Sequence, residues 1–230
     1  MRIVMALLLA LLLGSYTITT TQAAVSSTLS QSDVDALVFM REEEKLAHDI
    51  YLALYARWQV PVFQMIATSE QTHMDAIKRL LDGYGIADPA TGKAAGVFTN
   101  QDLQKLYTQL ETTGKASLTD AYAVGAEIEE IDILDLKART TATTPTDITF
   151  VYQRLTTASE QHLRSFVRQW EATTGQQYTP KHLDATTYAA IINGSNGNGG
   201  NGGNSGKGGN GGNGGNSGNG GKGGNGGNCK

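Results

Sequence analysis

Glu44 stands inside the run Met40-Arg41-Glu42-Glu43-Glu44-Lys45-Leu46-Ala47-His48-Asp49-Ile50-Tyr51. On a helix of about 3.6 residues per turn, Leu37, Met40, Glu44, Ala47, Tyr51 and Tyr55 fall on one stripe. A carboxylate among core positions costs free energy unless it is paired, protonated or bound to metal. Glu43 lies toward one edge of this stripe and Glu42 points nearly away from it. Glu44 therefore needs a partner elsewhere in the chain.

Three further segments offer one. Glu70 and His73 form Glu-x-x-His on a face shared with Phe63, Ile66, Ile77 and Leu81. His162 lies in line with Leu155, Ser159 and Phe166. Between them, Glu127, Glu129, Glu130, Asp132 and Asp135 are set among Val124, Ile128 and Ile131. Residues three apart on a helix project to one side, and a carboxylate with an imidazole suits iron, manganese or zinc. Four helices, each with an acid or histidine on its apolar side, make the pattern of a carboxylate-rich metal site inside a helix bundle. The expected ligands are Glu44, Glu70, His73, Glu129 and His162.

Each of these residues also has a plainer reading. Glu-x-x-His alone is a weak signal, and a lone histidine on an apolar face is more often a hydrogen-bonded core residue than a ligand. For His162 that partner would be Glu44 or Tyr51. With Ile128 at the middle of its face, Asp132 and Asp135 lie close to the centre and Glu129 and Glu127 on the edges. Glu129 with Asp132 is the favoured pair, and Glu130 reads as a solvated acid pointing away. Asp132 and His48 are second candidates for ligands; His182 is unassigned. Tyr51, Tyr55 and Tyr84 read as core residues with hydrogen-bonded hydroxyls.

The elements that must position these groups are helices. Ser32 and Asp35 resemble a capping box, which starts the first helix near Asp33 and runs it to about Trp58. Pro61 opens a second helix, ended near Asp82 by Gly83 and Gly85. Thr99 or Asn100 caps a short helix over residues 101–112. Ser117 caps a third long helix running to about Arg139. A fourth spans about 147–174 and stops at Gly175, and residues 178–192 pack back as a short helix. No strand-type alternation appears, so the expected class is all-α.

The ends of the chain are of other material. Arg2, the apolar residues 5–13 and Thr21-Gln22-Ala23 read as a secretory signal peptide over residues 1–23. The apolar run is too short for a comfortable membrane span. Residues 193–230 are almost entirely Gly and Asn with a few Ser and Lys, a composition that cannot bury a core and is expected to be disordered. Cys229 is the only cysteine, so it suggests an intermolecular disulfide and a homo-oligomer, or a capped thiol. Residues 24–192 remain as one folded domain. The chain carries −4; Arg2 and the three tail lysines account for four positive charges, leaving −8 for the rest. That acidity argues against nucleic acid and is compatible with attracting cations.

Met40-Arg41-Glu42-Glu43-Glu44-Lys45-Leu46-Ala47, Ser69-Glu70-Gln71-Thr72-His73, Gly96-Val97-Phe98, residues 125–136 and residues 159–166 together resemble the domain of unknown function 2202, which is placed with ferritin-like proteins. The resemblance covers residues 34–183. It implies a ferritin-like up-down four-helix bundle whose crossover carries the shorter extra helix. A wider similarity reaches the rubrerythrin-like di-iron proteins through Glu44, Ala47, Tyr51, Glu70 and His73. There the fourth helix also carries Glu-x-x-His, whereas this chain has Ser159 three residues before His162. One carboxylate of a symmetric di-iron centre is thus absent unless Glu129 or Asp132 substitutes, and the expectation is a single or asymmetric metal site. The function expected is a secreted, periplasmic or cell-surface protein binding a transition metal, iron first, with oxidase or peroxidase-like activity as an iron-dependent oxidoreductase. The alternative is a non-catalytic extracellular module with a buried Glu/His network.

Overall fold

A computed structural model of the chain describes residues 29–194. The signal peptide, nearly all of the Gly/Asn-rich tail and Cys229 lie outside the described residues. Six helices make up the body: α1 (Gln31–Trp58), α2 (Pro61–Tyr84), α3 (Gln101–Gly114), α4 (Leu118–Ala142), α5 (Thr146–Thr174) and α6 (Ala185–Asn193). No strand occurs among the described residues. The fold is all-α, a bundle of four long helices with α3 in the long connection.

Local chemistry sets the ends. Ser30, not Ser32, caps α1, its hydroxyl accepting from the Asp33 amide, so the helix starts two residues earlier than expected. Ser30 and Asp33 repeat the spacing of Ser32 and Asp35, and the sequence alone does not choose between them. Asn100, Ser117 and Asp184 cap α3, α4 and α6 with their side chains. Pro61 is the first residue of α2, and Gly85 and Gly175 close α2 and α5 at φ 70° and 68°. The last helix begins at Ala185 rather than 178 and takes in Asn193.

The short links 59–60 and 143–145 pair α1 with α2 and α4 with α5; α1 also packs on α4, and α2 on α5. Two apolar clusters fill the bundle. One holds Ile50, Tyr51, Phe63, Ile66, Tyr122, Val124, Leu163 and Phe166. The other holds Leu37, Met40, Ile77, Leu81, Leu136, Tyr152 and Leu155. Helices α1 and α5 pass from the second cluster to the first, and α2 and α4 pass the other way. Each long helix is therefore antiparallel to the neighbours it packs against. Between the clusters lies a polar layer that crosses every long helix near its middle.

Close approach of the helices has a visible requirement. A Cβ built on Gly125 of α4 would sit 2.6 Å from Phe166 Cδ1 of α5. The Phe166 ring fills the space a side chain would need, and it packs on Tyr51 and Phe63 at 5.1 and 5.7 Å between centroids. The outer side of α1 is also covered. Glu42 accepts the Asn100 amide at 2.9 Å and the Thr99 amide, Arg41 pairs with Asp88 at 3.1 Å, and Lys45 pairs with Asp49 and donates to the Ala94 carbonyl. The connection before α3 thus turns a one-sided helix into one buried on all sides. Glu42 and Glu43, expected at or beyond the edge of the apolar stripe, are both buried.

Candidate metal centre

The polar layer consists of Glu43 and Glu44 from α1, Glu70 and His73 from α2, Glu129 and Asp132 from α4, and Ser159 and His162 from α5, all buried. Each sits where its helix turns inward between two apolar stretches, so burying the core necessarily brings the four sets together.

Glu70 is the centre of the arrangement. Its Oε2 lies 2.7 Å from His73 Nδ1, and the same nitrogen lies 3.1 Å from Glu44 Oε2. Its Oε1 lies 2.8 Å from His162 Nδ1, which is 3.5 Å from Glu129 Oε2. Two triads result, Glu44–Glu70–His73 and Glu70–Glu129–His162, each with ligand atoms within 4.8 Å of one another. The two imidazoles stack with centroids 5.5 Å apart. These buried groups could hold metal. The structure thus gathers Glu44, Glu70, His73, Glu129 and His162 in one place and divides them into two sets that share one carboxylate.

The donor atoms are aimed at shared space more than at each other. Glu70 Oε1 and His162 Nδ1 are 2.8 Å apart, yet neither makes an aligned hydrogen bond. Glu44 Oε1, Asp132 Oδ1 and both oxygens of Glu43 are also buried without a hydrogen-bond partner. Unpartnered buried polar atoms are costly and rare in folded proteins. Five buried carboxylates face two imidazoles, and the nearby Lys45 and Arg41 are already paired with Asp49 and Asp88. Even with both imidazoles protonated, negative charge is in excess. A carboxylate and imidazole donor set with surplus charge fits divalent metal.

Without metal, protons must fill that role. Burial raises Glu44 to about 7, against the opposing pull of His73. Burial raises Glu43 and Asp132 well above the usual carboxylate range, helped by each other's neighbourhood of acids. Glu129 is raised by burial and by Glu70. Burial works to lower the histidines, but Glu70 and Glu44 hold His73 well above its ordinary value, and Glu70 and Glu129 push His162 up to about 10. Burial would likewise raise Glu70, yet the two imidazoles keep it below the usual range. Metal entering the site would displace these protons.

Neighbouring groups orient the ligands. Ser69 Oγ is 3.0 Å from His162 Nε2, which turns Nδ1 inward. The Tyr51 hydroxyl donates to Glu129 Oε1 at 2.6 Å. Ser159 donates to Asp132 Oδ2 at 2.6 Å, placing Asp132 where the sequence leaves a gap. His48 contacts Asp49 at 3.0 Å and belongs to neither triad.

Glu130 is a correction. It points away from the triads, as expected, but it is fully buried, not solvated. It accepts from the Tyr178 hydroxyl and the amides of Lys181, His182 and Leu183, at 2.7 to 3.0 Å. The segment before α6 folds over it. Glu43 and Ser69 were not singled out by sequence. The only signals available were their positions next to Glu44 and Glu70.

The model of a family described as an uncharacterized protein domain, DUF2202, matches residues 33–195. The uncharacterized protein MJ0754 of Methanocaldococcus jannaschii is 45% identical over 167 residues, which span 73% of this chain and 90% of that protein. A crystal structure of hypothetical protein MJ0754, from Methanococcus jannaschii DSM 2661, superposes with a TM-score of 0.69, covering 71% of this chain and 93% of that one.

Proposed function

This chain belongs to the DUF2202 family, and we propose that it is a ferritin-like protein holding two transition-metal ions in its bundle core, iron in both positions. Glu44 and His73 would hold one ion, Glu129 and His162 the other, and Glu70 would serve both. Asp132 would stand in for the carboxylate that Ser159 lacks. The observation that carries the reading is Glu70, whose two oxygens face different histidines at 2.7 and 2.8 Å. Nitrogen and carboxylate donors in this proportion suit iron, with manganese and zinc as competitors.

Bound iron would supply electron exchange with oxygen or peroxide, which makes an oxidase or peroxidase-like activity the matching reaction class. The chain's own contribution is to fix the donors, exclude bulk water with the two apolar clusters, and hold protons on Glu44 and its neighbours when metal is absent. A second reading has one observation in its favour: the same groups already form a contact network of 2.6 to 3.5 Å. In that reading the protein is a non-catalytic module.

Residues 1–23 have the make-up of a signal peptide, which supports a secreted, periplasmic or cell-surface location. Among the described residues no helix is long and apolar enough to cross a membrane. Cys229 would allow an intermolecular disulfide between copies. Elemental analysis of freshly purified protein tests the metal reading: about two equivalents of iron per chain are expected, and a protein free of transition metal would favour the non-catalytic module. The amino-terminal sequence of exported protein tests the location, with cleavage after Ala23 expected.

A further inference from the structure

Between α2 and α5 lies a groove of about 380 Å³, lined by Ser69, Thr72, His73, Arg79, Phe150 and Arg154 and by the apolar side of α5. The groove borders the metal centre. His73 of the first triad is in its lining, and so is Ser69, which holds His162 of the second.

Two exposed arginines, Arg79 and Arg154, stand over the groove. Neither has an ion-pair partner among the described residues, so both guanidinium groups are open to a ligand. The Arg154 guanidinium lies over the Phe150 ring at 5.7 Å. Phe150 itself is 59% exposed, whereas the other aromatics of the described body are buried or half-buried. A pair of unmatched guanidinium groups binds an oxyanion through paired N–H donors. The exposed ring, Val151, Leu155, Ala76 and Ala158 offer an apolar wall beside them.

We propose that this groove binds a small organic anion, a carboxylate or phosphate bearing a short apolar chain, and presents it to the metal centre behind His73. Arg79 and Arg154 hold the oxyanion, and Phe150 and the α5 wall hold the chain. The inference rests on the metal reading for its second half and on the groove alone for its first.

Calorimetric titration of the full chain, loaded with Co(II), with octanoate and separately with hexyl phosphate tests it. Saturable binding of at least one is expected, and which one binds tells carboxylate from phosphate. The double variant Arg79→Glu, Arg154→Glu should bind at least tenfold more weakly with its Co(II) content unchanged, and Phe150→Ala should weaken the amphiphile while leaving inorganic phosphate unaffected. The bound anion should also shift the visible Co(II) spectrum. Saturable binding to neither probe, or equal affinity in the double variant, overturns the proposal, and an unmoved spectrum overturns delivery to the metal. If the wild type takes up no Co(II), the metal reading fails, and the same titrations on the metal-free chain still decide the anion site.

Discussion

Asp132 of α4 accepts a hydrogen bond from Ser159 of α5 at 2.6 Å and keeps its second oxygen buried and unpartnered. Ser159 is three residues before His162, the position at which a second Glu-x-x-His would carry its acid. The short serine leaves room, and the aspartate from the facing helix enters it. Asp132→Ala should therefore lower metal content from two equivalents toward one, while Ser159→Ala, which only frees the carboxylate to swing, should weaken metal affinity by about 10-fold or more. Metal titration of both variants checks this; unchanged stoichiometry in Asp132→Ala would remove Asp132 from the centre.

Under the proposed function, metal would compete with protons for the same groups, and that sets the pH dependence. Glu44 is raised from 4.5 to about 7 in the fold and returns to its ordinary value when unfolded. The native state then holds a proton that the unfolded chain releases, so this contribution to stability is present below about 4.5 and is lost as pH rises through about 7. Glu43, Glu129 and Asp132 act in the same direction, and His162, pushed up to about 10, extends the loss upward. Glu70, held low, acts oppositely but only in acid. Metal-free protein should melt at a lower temperature at pH 8 than at pH 5.5, and the gain in melting temperature on adding metal should widen over that range. A gain independent of pH would show that metal does not displace these protons.

Gly125 makes a purely structural prediction. Its missing side chain is what lets Phe166 pack where α4 meets α5. Gly125→Ala should destabilise the body by about 1–3 kcal/mol through overpacking. Phe166→Leu in the same background should recover part of the loss, as read by denaturant unfolding; no effect of Gly125→Ala would mean the ring moves aside freely.

Glu130 separates folding from metal binding. It gathers four donors from residues 178–183, so Glu130→Ala should cost about 3 kcal/mol and expose residues 178–194 to limited proteolysis. Metal content should not change, because its carboxylate faces away from both triads. Loss of metal in this variant would place it in the centre after all.

Much of this arrangement is legible in the sequence, for a physical reason. Glu70 with His73, and Ser159 with His162, are i, i+3 pairs among apolar residues, and helical geometry fixes their side regardless of tertiary detail. Glu44 is legible because Leu37, Met40 and Tyr51 flank it on one stripe. What the sequence conceals is anything decided by distant chain. Glu42 is buried by amides 57 and 58 residues away, and Arg41 by Asp88. The apolar stripe of α1 marks only the side that faces the other long helices, so Glu43 reads as an edge residue although the structure buries it. Glu130 fails for the same cause: its partners are mostly backbone amides of a later segment, which leave no mark in residue type. That one carboxylate belongs to two triads is also invisible until His73 and His162 are seen at its two different oxygens.

The central claim is that Glu70 joins two metal positions. Stoichiometric titration of the wild type and of Glu70→Ala with Fe(II) under anaerobic conditions tests it most directly. Two equivalents should bind to the wild type and neither should bind tightly to the variant, since both triads lose a member, while His73→Ala and His162→Ala should each lose about one. Equal uptake by the wild type and by Glu70→Ala, or no uptake by either, would contradict it.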